Sequence, residues 1–432
     1  MAWGIDLDEK AAGHGRWSIL AWPGKQESSA PWEPSLCGDV RSASPARASG
    51  PPFTGGWIGW IEYEMGEVYE PTVRRLGEGS SGASSGSRWW RCDEALLFDH
   101  AERQWWAIGR PPIDPAALPA ARAEGVGFGA GPLRSQTGRD AYIQMVSEAI
   151  ERIRAGEVYQ VNLAHELAGR FDGSARRAFA RMHRAADPGL GAYIESEGSE
   201  GGRVAVLSAS PELFLGVLPD GLVVTRPMKG TRPAGTDERA LYDAEKDRAE
   251  LNMIIDLMRN DLGRVCRFGS VRVEHARTIE RHGGGPGERS GSESGIIQAT
   301  GTVAGVLRPG VGLGELIREC FPGGSVTGAP KIQAMKIIAG LEGVPRGVYC
   351  GAIGIVSDGG RAQFSIAIRT AVITGRTGSG ASGWGHFENG RLSYRVGAGI
   401  VADSNPASEW DETLVKAGPV RSIAQVLEDG AA

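Results

Sequence analysis

Between Thr225 and Asp261 the chain reads TRPMKGTRPAGTDERALYDAEKDRAELNMIIDLMRND. One lysine, Lys229, stands on a Pro/Gly-rich turn between Met228 and Gly230. A helix is expected next, and it carries Asp247 and Glu250 at a spacing that puts both carboxylates on one face. Leu251, Ile254, Ile255, Met258 and Leu262 fall where a core-facing stripe belongs. An amine on such a turn, followed by a carboxylate helix, could be a nucleophile beside a metal site. The same residues also suit a surface turn followed by an ordinary amphipathic helix.

Glu409 and Glu412, in NPASEWDETLVK, form a second carboxylate pair at helical spacing. If the two helix faces met, they would offer several hard oxygen ligands, which suit Mg²⁺. Neither a histidine nor a thiol accompanies them, which argues against zinc. Two solvated helix faces would carry the same residues. Glu212, in SASPELFL, follows a proline and precedes an apolar strand. A carboxyl group drawn into low dielectric there has a raised pKa and can act as a general acid. It could equally be a polar turn residue at a strand entrance.

Three further places draw notice. Phe321 to Lys331, FPGGSVTGAPK, combines small residues and hydroxyls ahead of a helix, a loop that can present N–H groups to an anion. It does not match GxxxxGK[ST]. Gly397 and Gly399, in GAGIVADS, permit close backbone approach. Arg369, in SIAIRTAV, is expected mid-strand, paired with an anionic ligand or in a structural salt bridge. Cys350, in VYCGAIG, lacks a GxCxG elbow and a nearby histidine, so it reads as a core cysteine.

These residues need elements to hold them. Thr137 to Ala155 reads as a helix with Ile143, Val146, Ile150 and Ile153 in period, and Thr137 with Asp140 resembles a capping box. VYQVNLAHEL alternates like a strand, and Ser174 to Ala186 reads as a second helix. Short strands at 193–195, 204–208, 213–218 and 222–225 are spaced like a meander. After the carboxylate helix come strands near 296–307, 351–357, 363–373 and 391–397. Helices are expected at 312–320, about 329–341 and about 406–418. Gly/Ser-rich runs at 77–87, 282–295 and 375–385 read as flexible loops, and the Ala/Pro/Gly-rich run 111–132 as the main internal boundary. Strands interleaved with helices, many connections being too short for parallel crossovers, argue for an α+β fold with antiparallel sheets.

Composition bounds the rest. The 432 residues can bury a large core, and 41% apolar with 23% charged content is ordinary for a globular enzyme. A net charge of −5 leaves no basic footprint for nucleic acid. No apolar run approaches the roughly 18 residues of a membrane span. The first residues lack a secretory pattern. Five scattered cysteines without a CxxC pair indicate neither a zinc site nor a disulfide framework, so a reducing cytoplasm is the expected location.

Taken together, SASPELFL, RPMKGTRPAGT, RAELNMIIDLMRNDLGRVC, FPGGSVTGAPKIQAM, VYCGAIG, FSIAIRTAV and GAGIVADSNPASEWDET resemble the chorismate-utilising enzymes. That family includes the large chains of anthranilate synthase and aminodeoxychorismate synthase, and the isochorismate and salicylate synthases. The resemblance runs in motif order from about Thr137 to Gly418; GRWSIL and PFTGGWIGWIEYE are similar to the N-terminal region of the first two. It implies a two-lobed sandwich of large antiparallel sheets flanked by helices. It also implies an N-terminal region over residues 1–130 and a chorismate-binding catalytic region over 131–432.

Residue by residue, the resemblance places Glu250 and Glu412 on Mg²⁺-binding positions, with Asp247 and Glu409 as supporting carboxylates. It places Glu212 on the general acid that protonates the departing C4 hydroxyl. Tyr349, Arg369, Gly397, Gly399 and Lys416 match positions around the substrate carboxylates, and Thr231 matches a pocket threonine. The isochorismate branch has a water-activating lysine where this chain has Gln160. The anthranilate branch usually has alanine where this chain has Lys229, the mark of aminodeoxychorismate synthase. There the lysine attacks C2 of chorismate and ammonia resolves the adduct at C4. Such an amine must be neutral, so burial or a neighbouring positive charge is expected to lower its usual pKa of about 10.4. Gln298 and Ile355 depart from the family's common histidine and tyrosine. The implied function is amination of chorismate to 4-amino-4-deoxychorismate, with ammonia from a separate glutamine amidotransferase. Anthranilate synthase, or a non-catalytic chorismate-binding homologue, is the alternative.

Overall fold

Long alternating strands and amphipathic helices give this chain two large antiparallel sheets with helices against them. The computed structural model describes residues 2–3, 15–24, 26–27, 50–73, 86–115, 127–198, 202–233, 235–282, 296–376 and 385–427. Most of the three Gly/Ser-rich runs, and Cys37, lie outside the described residues.

One sheet runs in the order Leu190–Glu197, Arg203–Ser210, Thr370–Arg376, His386–Ile400, Gln160–Ser174, Gly328–Ala329. The other runs Met228–Pro233, Ile296–Val306, Leu222–Arg226, Leu213–Val217, Ala362–Ile366, Ala352–Ser357, Gly56–Ile61, Ser87–Cys92, Gln26–Glu27. All of these pairings are antiparallel. A small third sheet joins Ala2–Trp3, Trp17–Trp22, Glu94–Asp99 and Gln104–Ile108. The α+β expectation therefore holds. Strand Gly56–Ile61 pairs with Ala352–Ser357, so the aromatic run near the N-terminus is built into the same sheet as later strands. Leu163, Leu167, Ala398 and Ile400 of the first sheet share one core with Phe214, Phe364 and Ala352 of the second.

The helices form for local reasons that can be named. Ala175–Ala186 begins at Ser174, whose side chain accepts from the Arg177 N–H, and stops at Asp187 with a left-handed φ of 41°. Pro406–Lys416 begins at Asn405, whose side chain accepts from the N–H groups of Ala407 and Ser408, with proline in the first turn. The carboxylate helix spans Glu245–Val265, and Leu251, Ile254, Ile255, Met258 and Leu262 are all buried, as their period requires. The capping box expected at Thr137 and Asp140 does not form. Gly138 is the N-cap of Arg139–Arg154, and its N–H goes instead to the Ser135 hydroxyl at 3.0 Å. Among the described residues no helix is long and apolar enough to cross a membrane. Cys92, Cys266, Cys320 and Cys350 are buried free thiols.

Candidate active site

Two strand-to-strand crossovers carry the first of the site's side chains. After Ser210 the chain leaves the first sheet and enters the second at Leu213; between Ile366 and Thr370 it returns. The crossovers lie side by side. Ile366 N–H donates to the Glu212 carbonyl at 3.1 Å, and Ala209 N–H to the Arg369 carbonyl at 3.0 Å. Glu212 and Arg369 are thus carried on adjoining bends. Arg369 is not mid-strand as expected: it has a left-handed φ of 51°, because the chain must change sheets there.

The Glu212 side chain is 4% exposed and accepts from the Ser325 hydroxyl at 2.5 Å. Burial pushes its carboxyl up to about 7, while the Ser325 bond, Lys229 and Arg369 pull the other way. Burial also lowers the Arg369 guanidinium from its ordinary value, opposed by Tyr394 and Glu212. Ser325 belongs to the loop expected to present N–H groups to an anion. Its hydroxyl engages a carboxyl instead, and Thr327 Oγ1 donates to the Gly323 carbonyl at 3.0 Å.

Lys229 is not on a simple turn. It lies in strand Met228–Pro233, whose pairing with Ile296–Val306 shifts register between Lys229 and Thr231. Gly230 there takes a φ of 69°, and the bulge aims Lys229 off the ladder. Its Nζ lies 3.1 Å from Glu250 Oε2, both side chains being largely buried. Of the two expected features, burial is present, but the neighbour is a carboxylate rather than a positive charge, because the bulge faces the first turns of the Glu245–Val265 helix. The side chain of Thr231 lies outside the described residues.

Across the cleft stands strand His386–Ile400. A Cβ on Gly399 would sit 2.9 Å from Lys229 Nζ and 2.6 Å from Gln160 Nε2. One on Gly397 would sit 2.9 Å from both Tyr349 Oη and Asn162 Oδ1. Only glycine lets these side chains approach the strand so closely, and these two glycines form the floor on which they meet. Gln160 is 1% exposed, and among the described residues neither of its amide atoms has a hydrogen-bond partner; Asn162 Oδ1 is likewise buried and unpaired there. Buried polar atoms left without a partner are costly, which favours a polar ligand there. Tyr349 and Cys350 are buried, and burial pushes the Cys350 thiol up to about 12, as befits a core cysteine.

The remaining carboxylates surround this floor. Lys416 Nζ donates to the Gly397 carbonyl at 2.8 Å and pairs with Glu412 at 2.7 Å. Asp247 pairs with Arg232 at 2.8 Å, and the buried Glu409 accepts from the Ser404 hydroxyl at 2.6 Å. Lys229, Glu212, Arg369, Glu250 and Gly399 therefore converge, as do Tyr349, Gly397, Lys416 and Glu412. Asp247 and Glu409 are held by other partners. Among the described residues no group of three or more His, Cys, Asp or Glu is close enough to hold a metal. As carboxylates, Glu250 and Glu412 have the donor chemistry a hard cation takes, but here each is paired with a lysine ammonium that a cation would have to displace. Sequence reasoning missed Ser325 as the partner of Glu212, and Asn162 entirely; an amide alternating with Gln160 in YQVN was the available signal for Asn162.

The chain matches the family model described as chorismate binding enzyme over residues 7–422, and it belongs to that family. It is 35% identical to an aminodeoxychorismate synthase of Streptomyces griseus, covering 88% of this chain and 51% of that protein. It is also 35% identical to anthranilate synthase component 1 of Streptomyces coelicolor, covering 91% of this chain and 77% of that one. The chain thus spans about half the length of the Streptomyces griseus relative. Among solved structures, anthranilate synthase component I of Streptococcus pneumoniae superposes with a TM-score of 0.71 at 26% identity. That superposition covers 96% of this chain and 93% of that one.

Proposed function

We propose that this chain aminates chorismate at C4 to give 4-amino-4-deoxychorismate. The observation that carries this function is Lys229, aimed by a bulge into the cleft beside Gly399. Attack needs the amine unprotonated, so the Lys229–Glu250 pair must open and the ammonium give its proton to solvent first. Lys229 Nζ then forms a bond to C2 as both ring double bonds shift toward C4 and the C4 hydroxyl departs. Glu212, buried and protonated up to about pH 7, gives that hydroxyl its proton and water leaves. Ammonia bonds to C4, both double bonds shift back, the C2–lysine bond breaks, and the new C4 ammonium returns a proton to Glu212. Tyr349, Arg369 and Lys416 would engage the substrate carboxylates, and Thr231 is proposed as a pocket residue.

Glu250 and Glu412, with Asp247 and Glu409 in support, would hold Mg²⁺. When bound, the ion supplies positive charge for the ring carboxylate of chorismate. Ammonia would come from a separate glutamine amidotransferase. A second function, anthranilate formation, is supported by the Streptococcus pneumoniae superposition and the Streptomyces coelicolor relative. Incubating the chain with chorismate, ammonium and Mg²⁺, with products read by mass and ultraviolet spectrum, separates the two. An aminodeoxychorismate product supports the proposal; anthranilate with release of pyruvate overturns it.

A further inference from the structure

Strand Gln160–Ser174 is fully paired along one edge only. His386–Ile400 covers it from Val161 to Ser174. On the other edge, Gly328–Ala329 pairs at Gln160 and Val161, and Arg134–Ser135 at Leu167 and Ala168. Buried backbone groups in the gap between need other partners. The Thr327 carbonyl accepts from the Asn162 N–H at 2.8 Å. The Glu166 carbonyl accepts from the Gln136 N–H at 2.8 Å, and two charged side chains serve two more groups. Arg346 Nη2 donates to the Asn162 carbonyl at 2.8 Å, and Glu342 Oε1 accepts from the Ala164 N–H at 2.9 Å.

These two side chains are 0% and 1% exposed and pair with each other, Nε to Oε2 at 2.9 Å. Arg346 Nη1 donates to the Val326 carbonyl at 3.0 Å. The guanidinium carbon lies 4.6 Å from the centroid of the Tyr63 ring and 5.9 Å from that of Tyr349. Asn162, Ala164, Val326 and Tyr349 tie this pair to the site. Asn162 stands opposite Gly399, and Ala164 opposite Gly397. Val326 follows Ser325, the donor to Glu212. Tyr349 Oη closes on Gly397. A buried ion pair is poor evidence of a stabilising role, since apolar residues of similar volume often do as well. The arginine fork adds fixed geometry, with donors delivered in one plane.

We infer that Arg346, held by Glu342, is a positioning residue that sets Ser325 against Glu212 and Asn162 against the glycine floor. The inference rests on taking this cleft as the chorismate site. Arg346→Lys keeps the charge beside Glu342 but cannot reach all three acceptors. For chorismate consumption, kcat should fall at least about tenfold while KM changes less than about threefold. Combined with Ser325→Ala, the loss should be no larger than that of the worse single variant, because both act through one contact; independent effects would multiply. Amide hydrogen exchange, which needs no turnover, should speed up in segments 159–165 and 321–331 and stay unchanged in the Arg139–Arg154 helix. Glu342→Gln, which keeps an acceptor for Ala164, serves the same tests if Arg346→Lys fails to fold. Multiplicative rates, or unchanged exchange in both segments, overturn the inference. A chain that consumes no chorismate while the exchange change still appears overturns the proposed function and leaves the positioning role supported.

Discussion

Replacing Glu212 with glutamine should make the protein more stable and less active, and the gain should depend on pH. Glu212→Gln keeps the shape and an acceptor for Ser325 but removes the ionisation. In the folded chain burial lifts this carboxyl from 4.5 to about 7; unfolded, it returns to its ordinary value. Between those values the folded chain keeps a proton that the unfolded chain has lost, so stability falls as pH rises through that window. Above it both states are ionised and the full cost of a buried carboxylate is present. At about 1.4 kcal/mol per pH unit, the cost reaches about 3 kcal/mol. For a chain of this length that is about 3 °C in melting temperature. At pH 8.5 the variant should melt about 3 °C above wild type; at pH 5 the gap should shrink below about 1 °C. Turnover should fall about 10²- to 10⁴-fold, the range for loss of a general acid. Melting curves at the two pH values, with rates alongside, check this. A gap that is equal at both, or a variant less stable at pH 8.5, would refute the buried-acid reasoning.

Three other outcomes follow from the cleft. Glu250→Gln and Glu412→Gln should each abolish turnover while leaving circular dichroism unchanged; near-wild-type rates for either in EDTA-treated buffer would remove the case for Mg²⁺. The purified chain should use ammonium salts and not glutamine, which a product assay with each nitrogen source decides; turnover with glutamine in the absence of any partner contradicts it. Gly399→Ala should fold but lose at least about tenfold in rate, since its methyl would lie 2.9 Å from Lys229 Nζ and 2.6 Å from Gln160 Nε2. A steady-state rate equal to wild type would show that the glycine floor is not where substrate sits.

Much of the cleft was legible in the sequence. The stripe from Leu251 to Leu262 marks the buried face of the carboxylate helix, and Asp247 and Glu250 continue that face toward the helix N-terminus, where their side chains are largely buried. Asn405 followed by Pro406 marked the start of the second such helix. Glu212 before an apolar strand was rightly suspected of burial. What failed was non-local. Lys229 read as a turn residue because Pro and Gly flank it, yet a partner strand far along the chain draws it into a bulged ladder. Arg369 read as mid-strand because apolar residues surround it. The change of sheet shows only in how the two crossovers hydrogen-bond each other. The amine's carboxylate partner and the Ser325–Glu212 bond likewise join residues distant in sequence.

The most direct test of the proposed chemistry is the intact mass of the chain incubated with chorismate and Mg²⁺ while ammonia is withheld. A covalent nucleophile should carry an adduct of chorismate less water, mapped by fragmentation to Lys229, that disappears on adding ammonium. Lys229→Ala should show no adduct and lose about 10³-fold or more in rate. An unmodified wild-type chain, together with full activity in Lys229→Ala, would contradict the lysine mechanism and leave anthranilate formation as the better-supported function.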